Sequence, residues 1–380
     1  MKTDQPKILF LNLHTFSLTG GIEKVARALS KVLNDLKANS LISKYFVHSM
    51  YDDKPNEKYL PKSNFIGYKG NKIHFAFSTL LKARQYNLII LSHVNLLIIA
   101  WFIKKTNSKT RIILLAHGIE VWRLSAGWKK KFLQSKCEIW AVSNFTADQL
   151  LKNEIPKANI SVLNNCLDPY FEPSNSFAKS NELLKRYHLK DHQQILFTLT
   201  RLSAAEQYKG YDTVIKIMPK LKLYPNTHYI LSGKADEVEL QRVKALIKAC
   251  GVEDRVTLTG FIKDEEIPDH YILADIFVMP SKGEGFGISF IEAAACGCIS
   301  IAGNIDGSKD ALLNGKLGKL IDPADNIALE KAIAEILASP RSNEKSKLLQ
   351  ETCMEHFNYE SYKRNVCDLL LENKIKLNAS

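Results

Sequence analysis

Short apolar runs that do not alternate with polar residues punctuate this chain, and helical patterns separate many of them. Leu88-Ile89-Ile90-Leu91 and Ile112-Ile113-Leu114-Leu115 are typical. A strand with one solvated face alternates; a strand covered by helices on both faces does not. The chain is therefore expected to form parallel sheets wrapped by helices, an α/β protein.

Strands are expected at 7–13, 45–49, 88–92, 111–116, 138–142 and 160–163, with helices such as 22–36 and 146–152 between them. The stretch 88–103 reads as a buried strand followed by a buried helix, too short and too polar for a membrane span. Residues 167–181 then become rich in Pro, Ser, Asn and Asp, with Pro169 and Pro173 blocking regular structure. A second series follows. Its strands are expected at 194–200, 228–232, 255–258, 276–280, 299–302 and 316–321, and its helices at 210–221, 236–250, 264–271, 288–295 and 326–338. The tail, 343–376, reads as wholly helical. A length of 380 residues suits two domains. We expect two doubly wound Rossmann-like domains facing a central cleft: 1–168, a linker at 169–190, and 191–356, with a final helix at 357–380. Ligands of such sheets bind beyond the C-terminal ends of strands.

Several motifs fall at such positions. Pro280-Ser281-Lys282-Gly283-Glu284-Gly285-Phe286-Gly287-Ile288 joins an apolar strand to a small-residue helix that contains Glu292. Its glycines admit close approach of a ligand, and the helix start favours negative charge. Glu284 and Glu292 would accept hydrogen bonds from hydroxyls on either side of a bound phosphate. That is the polarity of a nucleotide sugar. Gly20-Gly21 opens the first helix and offers bare N–H groups, without the G-x-G-x-x-G spacing of a dinucleotide fingerprint. His93 and His117 each close a strand, and Gly118 after His117 leaves room for a substrate. Arg201 ends another strand, and Lys209-Gly210 follows after a loop; two such cations suit a diphosphate leaving group. Ser232-Gly233-Lys234, Thr259-Gly260 and Asp306-Gly307-Ser308 read as turns.

Composition narrows the rest. Seven scattered cysteines, none at zinc spacing, suggest reduced thiols and a cytoplasmic location, and from the polar start no secretory leader is expected. The net charge of +12 is uneven: residues 1–168 hold 25 Lys and Arg against 11 Asp and Glu, a local +14. Besides simple solvation, an anionic membrane surface is the partner this charge suggests. No nucleic-acid-binding motif is present, so nucleic acid is not expected.

Taken together, these residues resemble the retaining GT-B glycosyltransferases of family 4. Glu284 and Glu292, the Glu284-Gly285-Phe286-Gly287 turn, Ala294-Ala295-Cys296-Gly297, Arg201 with Lys209, Gly20-Gly21 and Ala116-His117-Gly118 carry the resemblance. Thr200 stands where the family usually has Gly, and Cys166 follows Asn165 where Gly is usual. The resemblance implies a nucleoside-diphosphate sugar donor, GDP-mannose or a UDP-sugar, and a saccharide or lipid-linked saccharide acceptor on the first domain. It implies donor-binding roles for Gly20, Gly21, Arg201, Lys209, Glu284, Phe286, Gly287, Ile288 and Glu292. His117, Glu284, Arg201 and Lys209 would serve catalysis, with no cofactor and no metal. The final helix would pack back on the first domain. A non-catalytic nucleotide-sugar-binding subunit, or a phosphorylase or epimerase on the same fold, is the alternative.

Overall fold

A computed structural model describes residues 5–339 and 341–376. Its contacts divide the chain into two compact units, Met1–Tyr170 with Asn358–Ser380, and Phe171–Phe357.

The first unit runs β1 (Lys7–Asn12), α1 (Gly21–Ala38), β2 (Lys44–Ser49), β3 (Phe65–Gly67), α2 (Lys72–Ala83), β4 (Leu88–Leu91) and α3 (Leu97–Thr106). It continues with β5 (Arg111–Ala116), α4 (Ile119–Trp122), α5 (Trp128–Lys136), β6 (Glu138–Ala141), α6 (Asn144–Lys152) and β7 (Ile160–Val162). All strands are parallel, in the order β3-β2-β1-β4-β5-β6-β7. Leu9, Leu11, Ile89, Leu91 and Leu114 meet Phe75, Leu97, Ala100 and Leu133 in one core, which places α2, α3 and α5 on the same sheet face.

The second unit contains α7 (Asn181–Arg186), β8 (Gln194–Leu199), α8 (Tyr211–Ile217), β9 (Thr227–Ser232), α9 (Glu237–Ala249), β10 (Val256–Gly260) and α10 (Ile267–Leu273). Then come β11 (Ile276–Met279), α11 (Ile288–Ala295), β12 (Ile299–Gly303), α12 (Ser308–Ala311), β13 (Gly318–Ile321), α13 (Asn326–Leu337) and α14 (Asn343–Phe357). Its parallel order is β10-β9-β8-β11-β12-β13. The order reverses direction between β8 and β11, as it does between β1 and β4 in the first unit. At such a switch point the loops leaving adjacent strands diverge and open a crevice. Those loops carry Arg201 to Lys209 and Ser281 to Gly287.

Both sheets have the doubly wound α/β form read from the apolar runs. Four local details differ from the sequence reading. The three-residue β3 is too short to register as a run. The segment 171–190 groups with the second unit and holds the short helix α7, started by the Ser180 side chain accepting the Leu183 N–H. The helical tail breaks at Asn358, whose side chain accepts the Ser361 N–H and starts α15 (Tyr359–Lys376). The α15 helix sits in the first unit, with Tyr359 bonded to Asp35 on α1 at 2.8 Å and the Leu370 carbonyl accepting from Arg111 at 3.0 Å. Finally, α3 is not a buried helix: Ile98 and Phe102 on its outer face are exposed. An apolar run fixes what a helix can bury, while its neighbours decide what is covered.

Candidate functional site

In the second unit the site grows from two loops stitched together. The Lys282 N–H donates to the Tyr208 carbonyl at 2.9 Å, and Gly210, at φ +83°, lies so close to Pro280 that a Cβ there would sit 2.6 Å from its carbonyl oxygen. These contacts bring Lys209 and Glu284 into an ion pair although 75 residues separate them. Their side chains keep only 14% and 12% exposure. Burial acts to lower the Lys209 pKa, but Glu284, assisted by Tyr208 and Glu206, outweighs it and holds the pKa above the ordinary lysine value. The ammonium is therefore charged at neutral pH. Arg201 is farther out, mostly exposed, and paired with Glu206.

The Lys209 loop is braced from behind. Gln207 donates to Glu239 on α9 at 3.0 Å, and Arg242 donates to both Glu239 and Asp212. The Arg242 hydrogen bonds pull the Glu239 pKa down to about 2.

Glu284 is held by residues the sequence reading left as a plain turn. The buried Asp306 carboxylate accepts the Glu284 N–H at 2.7 Å and the Ser308 N–H at 3.0 Å. The Glu284 carbonyl in turn accepts the Gly307 N–H at 2.8 Å. No sequence signal beyond Asp-Gly-Ser marked this clamp, because Glu284, the residue it holds, lies 22 residues upstream. Burial raises the Asp306 pKa from 3.8 to about 6, against the pull of the two N–H groups. A folded-state pKa above the unfolded one means the native protein holds the extra proton between pH 4 and 6, so stability falls as pH rises through that window. Asp306→Asn should remove this slope: its stability relative to wild type should gain about 2 kcal/mol from pH 4 to pH 6. Urea midpoints at both pH values check it.

Past Glu284 the chain enters α11. Its N-cap Gly287 adopts φ +93° and provides no side-chain cap; the Phe290 N–H donates to the Gly287 carbonyl at 3.1 Å, while the Ile288 and Ser289 N–H groups precede any intrahelical partner. The Phe286 side chain is turned into the core against Phe357, ring centroids 5.6 Å apart, leaving its backbone to serve the turn. Glu292 sits inside α11 at 2% exposure, with the Tyr271 hydroxyl donating to it at 3.4 Å. Positive charge on Lys209, a helix start without a side-chain cap and two carboxylates thus belong to one loop system. Together they can hold a phosphate and orient hydroxyls.

In the first unit, His117 follows β5. Its Nε2 lies 3.0 Å from the Ser92 carbonyl, which can only accept, so Nε2 carries the hydrogen and Nδ1 keeps its lone pair. Burial lowers its pKa to about 4, so the ring is neutral at physiological pH. Glu120 fixes the turn by accepting the N–H groups of His117 at 2.6 Å and Gly118 at 3.1 Å; Gly118 has φ +148°. His93 uses Nδ1 to accept the Asn95 N–H at 3.1 Å. Gly20 caps α1 without a side-chain bond and Gly21 is exposed. The loop before them is pinned by Asp52, which accepts from the Thr15, Phe16 and Ser17 N–H groups. The sequence reading missed Asp52.

Residues 19–171 match the model of the family described as Glycosyltransferase Family 4, and residues 179–351 match Glycosyl transferases group 1. A GDP-mannose-dependent alpha-(1-6)-phosphatidylinositol monomannoside mannosyltransferase of Mycolicibacterium smegmatis is 30% identical over 249 residues, 61% of this chain and 62% of that protein. An alpha-D-kanosaminyltransferase of Streptomyces kanamyceticus is 26% identical over 51% of this chain and 49% of its own. The chain spans about six tenths of the length of the first curated relatives it matches. Among solved structures, Anabaena HepE in complex with UDP superposes with a TM-score of 0.76 at 19% identity, over 96% of this chain and 99% of that one. Sucrose-phosphate synthase from Thermosynechococcus elongatus gives 0.77 at 20%, over 99% and 100%.

Proposed function

The chain belongs to the family 4 glycosyltransferases of GT-B fold, and from that premise we propose that it is a retaining hexosyltransferase. It moves a sugar from a nucleoside diphosphate, GDP-mannose first and a UDP-sugar second, to a saccharide acceptor. The charged, half-dehydrated Lys209 beside Glu284 at the start of α11 is the observation that carries this reading.

Departure of a nucleoside diphosphate leaves negative charge on the bridging phosphate oxygen as the anomeric C–O bond breaks. Lys209 and the N–H groups of the Gly287–Ile288 turn neutralise that charge where water is scarce, which is where such groups are worth most, and Arg201 adds to them from a more solvated position. These fixed positive groups would make a metal ion unnecessary. Glu284 positions sugar hydroxyls, and Glu292 accepts from the ribose. His117, neutral with a bare Nδ1, accepts a hydrogen bond from a hydroxyl. The acceptor oxygen attacks from the face the leaving group occupied and keeps the anomeric configuration, its proton passing to the departing phosphate oxygen as the new C–O bond forms. Named relatives that use GDP-mannose on a phosphatidylinositol mannoside support a lipid-linked acceptor and peripheral attachment of the basic first unit to an anionic membrane. Among the described residues, no helix is long and apolar enough to cross a membrane.

Thermal denaturation with a panel of nucleoside-diphosphate sugars tests the donor. A cognate donor at about 100 times its Kd should add about 2.7 kcal/mol. Proton NMR of the first-formed product reads the anomeric configuration. No stabilisation by any donor, or an inverted product, would overturn the reading. A non-catalytic subunit would be stabilised by donor yet form no product with any acceptor.

A further inference from the structure

Helices α2 and α3 bury one side each in the same core, so their other sides look outward together. Those outer sides are apolar. The α2 helix exposes Ile73 at 84%, Phe77 at 64% and Leu81 at 50%, spaced four residues apart on one stripe, and α3 exposes Ile98 and Phe102. Trp101 lies edge-on to Phe102 with centroids 4.9 Å apart. The ends of the two helices adjoin, sharing a small cavity of about 310 Å³ lined by Ala83 and Arg84 from one and Ile103 and Thr106 from the other. Single exposed apolar side chains are ordinary on a monomer; a stripe continued across two neighbouring helices marks an interaction face.

The chain segment that carries that stripe holds charge of one sign. From residue 58 to residue 119, a span that includes both helices, the chain holds ten Lys and Arg and not one Asp or Glu. Lys72 and Arg84 are exposed at the two ends of α2. Lys105 on α3 places its ammonium 5.3 Å from the Trp101 ring centroid, and Lys82 sits 3.5 Å from that of Phe46. A second copy meeting this face would bring cations against cations. An anionic bilayer satisfies both components at once: apolar side chains enter the headgroup–acyl boundary while Lys and Arg stay at the phosphates.

We propose that the α2–α3 face of the first unit docks on an anionic lipid surface, with Ile73, Phe77, Leu81, Ile98 and Phe102 entering the acyl boundary and the surrounding Lys and Arg meeting lipid phosphates. This deepens the lipid-acceptor reading above and rests on it for its biological purpose. Apolar insertion separates it from attraction by net charge alone. The face delivers the enzyme to a lipid-borne acceptor without a spanning segment.

The test uses the full chain and vesicles of phosphatidylcholine with phosphatidylglycerol, against phosphatidylcholine alone. Wild type should partition to the anionic vesicles, with high salt weakening but not abolishing binding. Acyl chains brominated near the headgroup should quench Trp101, and Trp101→Phe should lose that component. The combined variant Ile73→Ser, Phe77→Ser, Phe102→Ser should partition about a hundredfold less. Its melting temperature and its stabilisation by GDP or UDP should stay at the wild-type value, because these side chains are exposed and lie outside the donor loops. Wild-type partitioning by the variant, binding fully reversed by salt with no quenching, or a dimer in solution that the variant dissolves would each overturn the proposal. Loss of nucleotide stabilisation in wild type itself would instead strike the donor reading and leave the docking result standing.

Discussion

Replacing Lys209 by Met should lower kcat/KM for sugar transfer by about a thousandfold, the scale of losing one pre-positioned group that stabilises developing charge. The same change leaves the Glu284 carboxylate, at 12% side-chain exposure, without its cation. Breaking a buried pair from one side costs about 2 to 4 kcal/mol once some residual solvent is allowed for. Glu284→Gln should cost a similar amount from the other side. The double variant, Lys209→Met with Glu284→Gln, removes both charges and should recover most of the lost stability. It should recover none of the activity, because neither the leaving diphosphate nor the sugar hydroxyls regain a partner. Urea titrations and initial rates on all four proteins check this. A double variant that regains turnover along with stability would reduce the pair to a structural brace.

Gly307→Ala should abolish donor binding at accessible concentrations, a loss of more than about a hundredfold. A Cβ at Gly307 would stand 2.1 Å from the Gly285 carbonyl oxygen and 2.9 Å from that of Glu284. Both obstacles are backbone, so no side chain can swing aside. The turn carrying Glu284 must then move away from α12, breaking the Gly307 N–H to Glu284 bond and loosening the Asp306 clamp. A shift of an ångström in groups that meet a phosphate is costly because hydrogen bonds lose strength steeply with distance and angle. Isothermal titration with GDP and UDP reads the loss, and the circular dichroism spectrum shows whether the sheets remain. Donor affinity within a factor of a few of wild type would show that the clamp does not position this turn.

Much of the fold is legible in the sequence. The uninterrupted apolar runs specify buried parallel strands, and their alternation with helical segments specifies two doubly wound units. The turn from Ser281 to Ile288 was legible too, because glycines between an apolar strand and a small-residue helix have few other uses. Less visible was what the residues touch. Nothing in Asp306-Gly307-Ser308 announces a carboxylate that holds the Glu284 backbone, and nothing near Thr15 announces Asp52. Both are side chains that satisfy backbone N–H groups of a distant loop, and such bonds leave no periodicity behind. The apolar α3 suggested burial on all sides, yet Ile98 and Phe102 face outward, since a helix hides only the side that a sheet or another helix covers.

Local sequence alone settled the class of sheet, the strand ends at which chemistry is possible, and the kinds of groups waiting there. Those follow from spacing and side-chain type, which act over a few residues. Only the tertiary structure decided that Lys209 neutralises Glu284 rather than a nearer carboxylate, that His117 is neutral with its Nδ1 bare, and that the Asp306 proton is held to about pH 6. Charge state and partner depend on the distance to groups remote in the chain and on how much water remains between them, and both are fixed only when the loops close on one another.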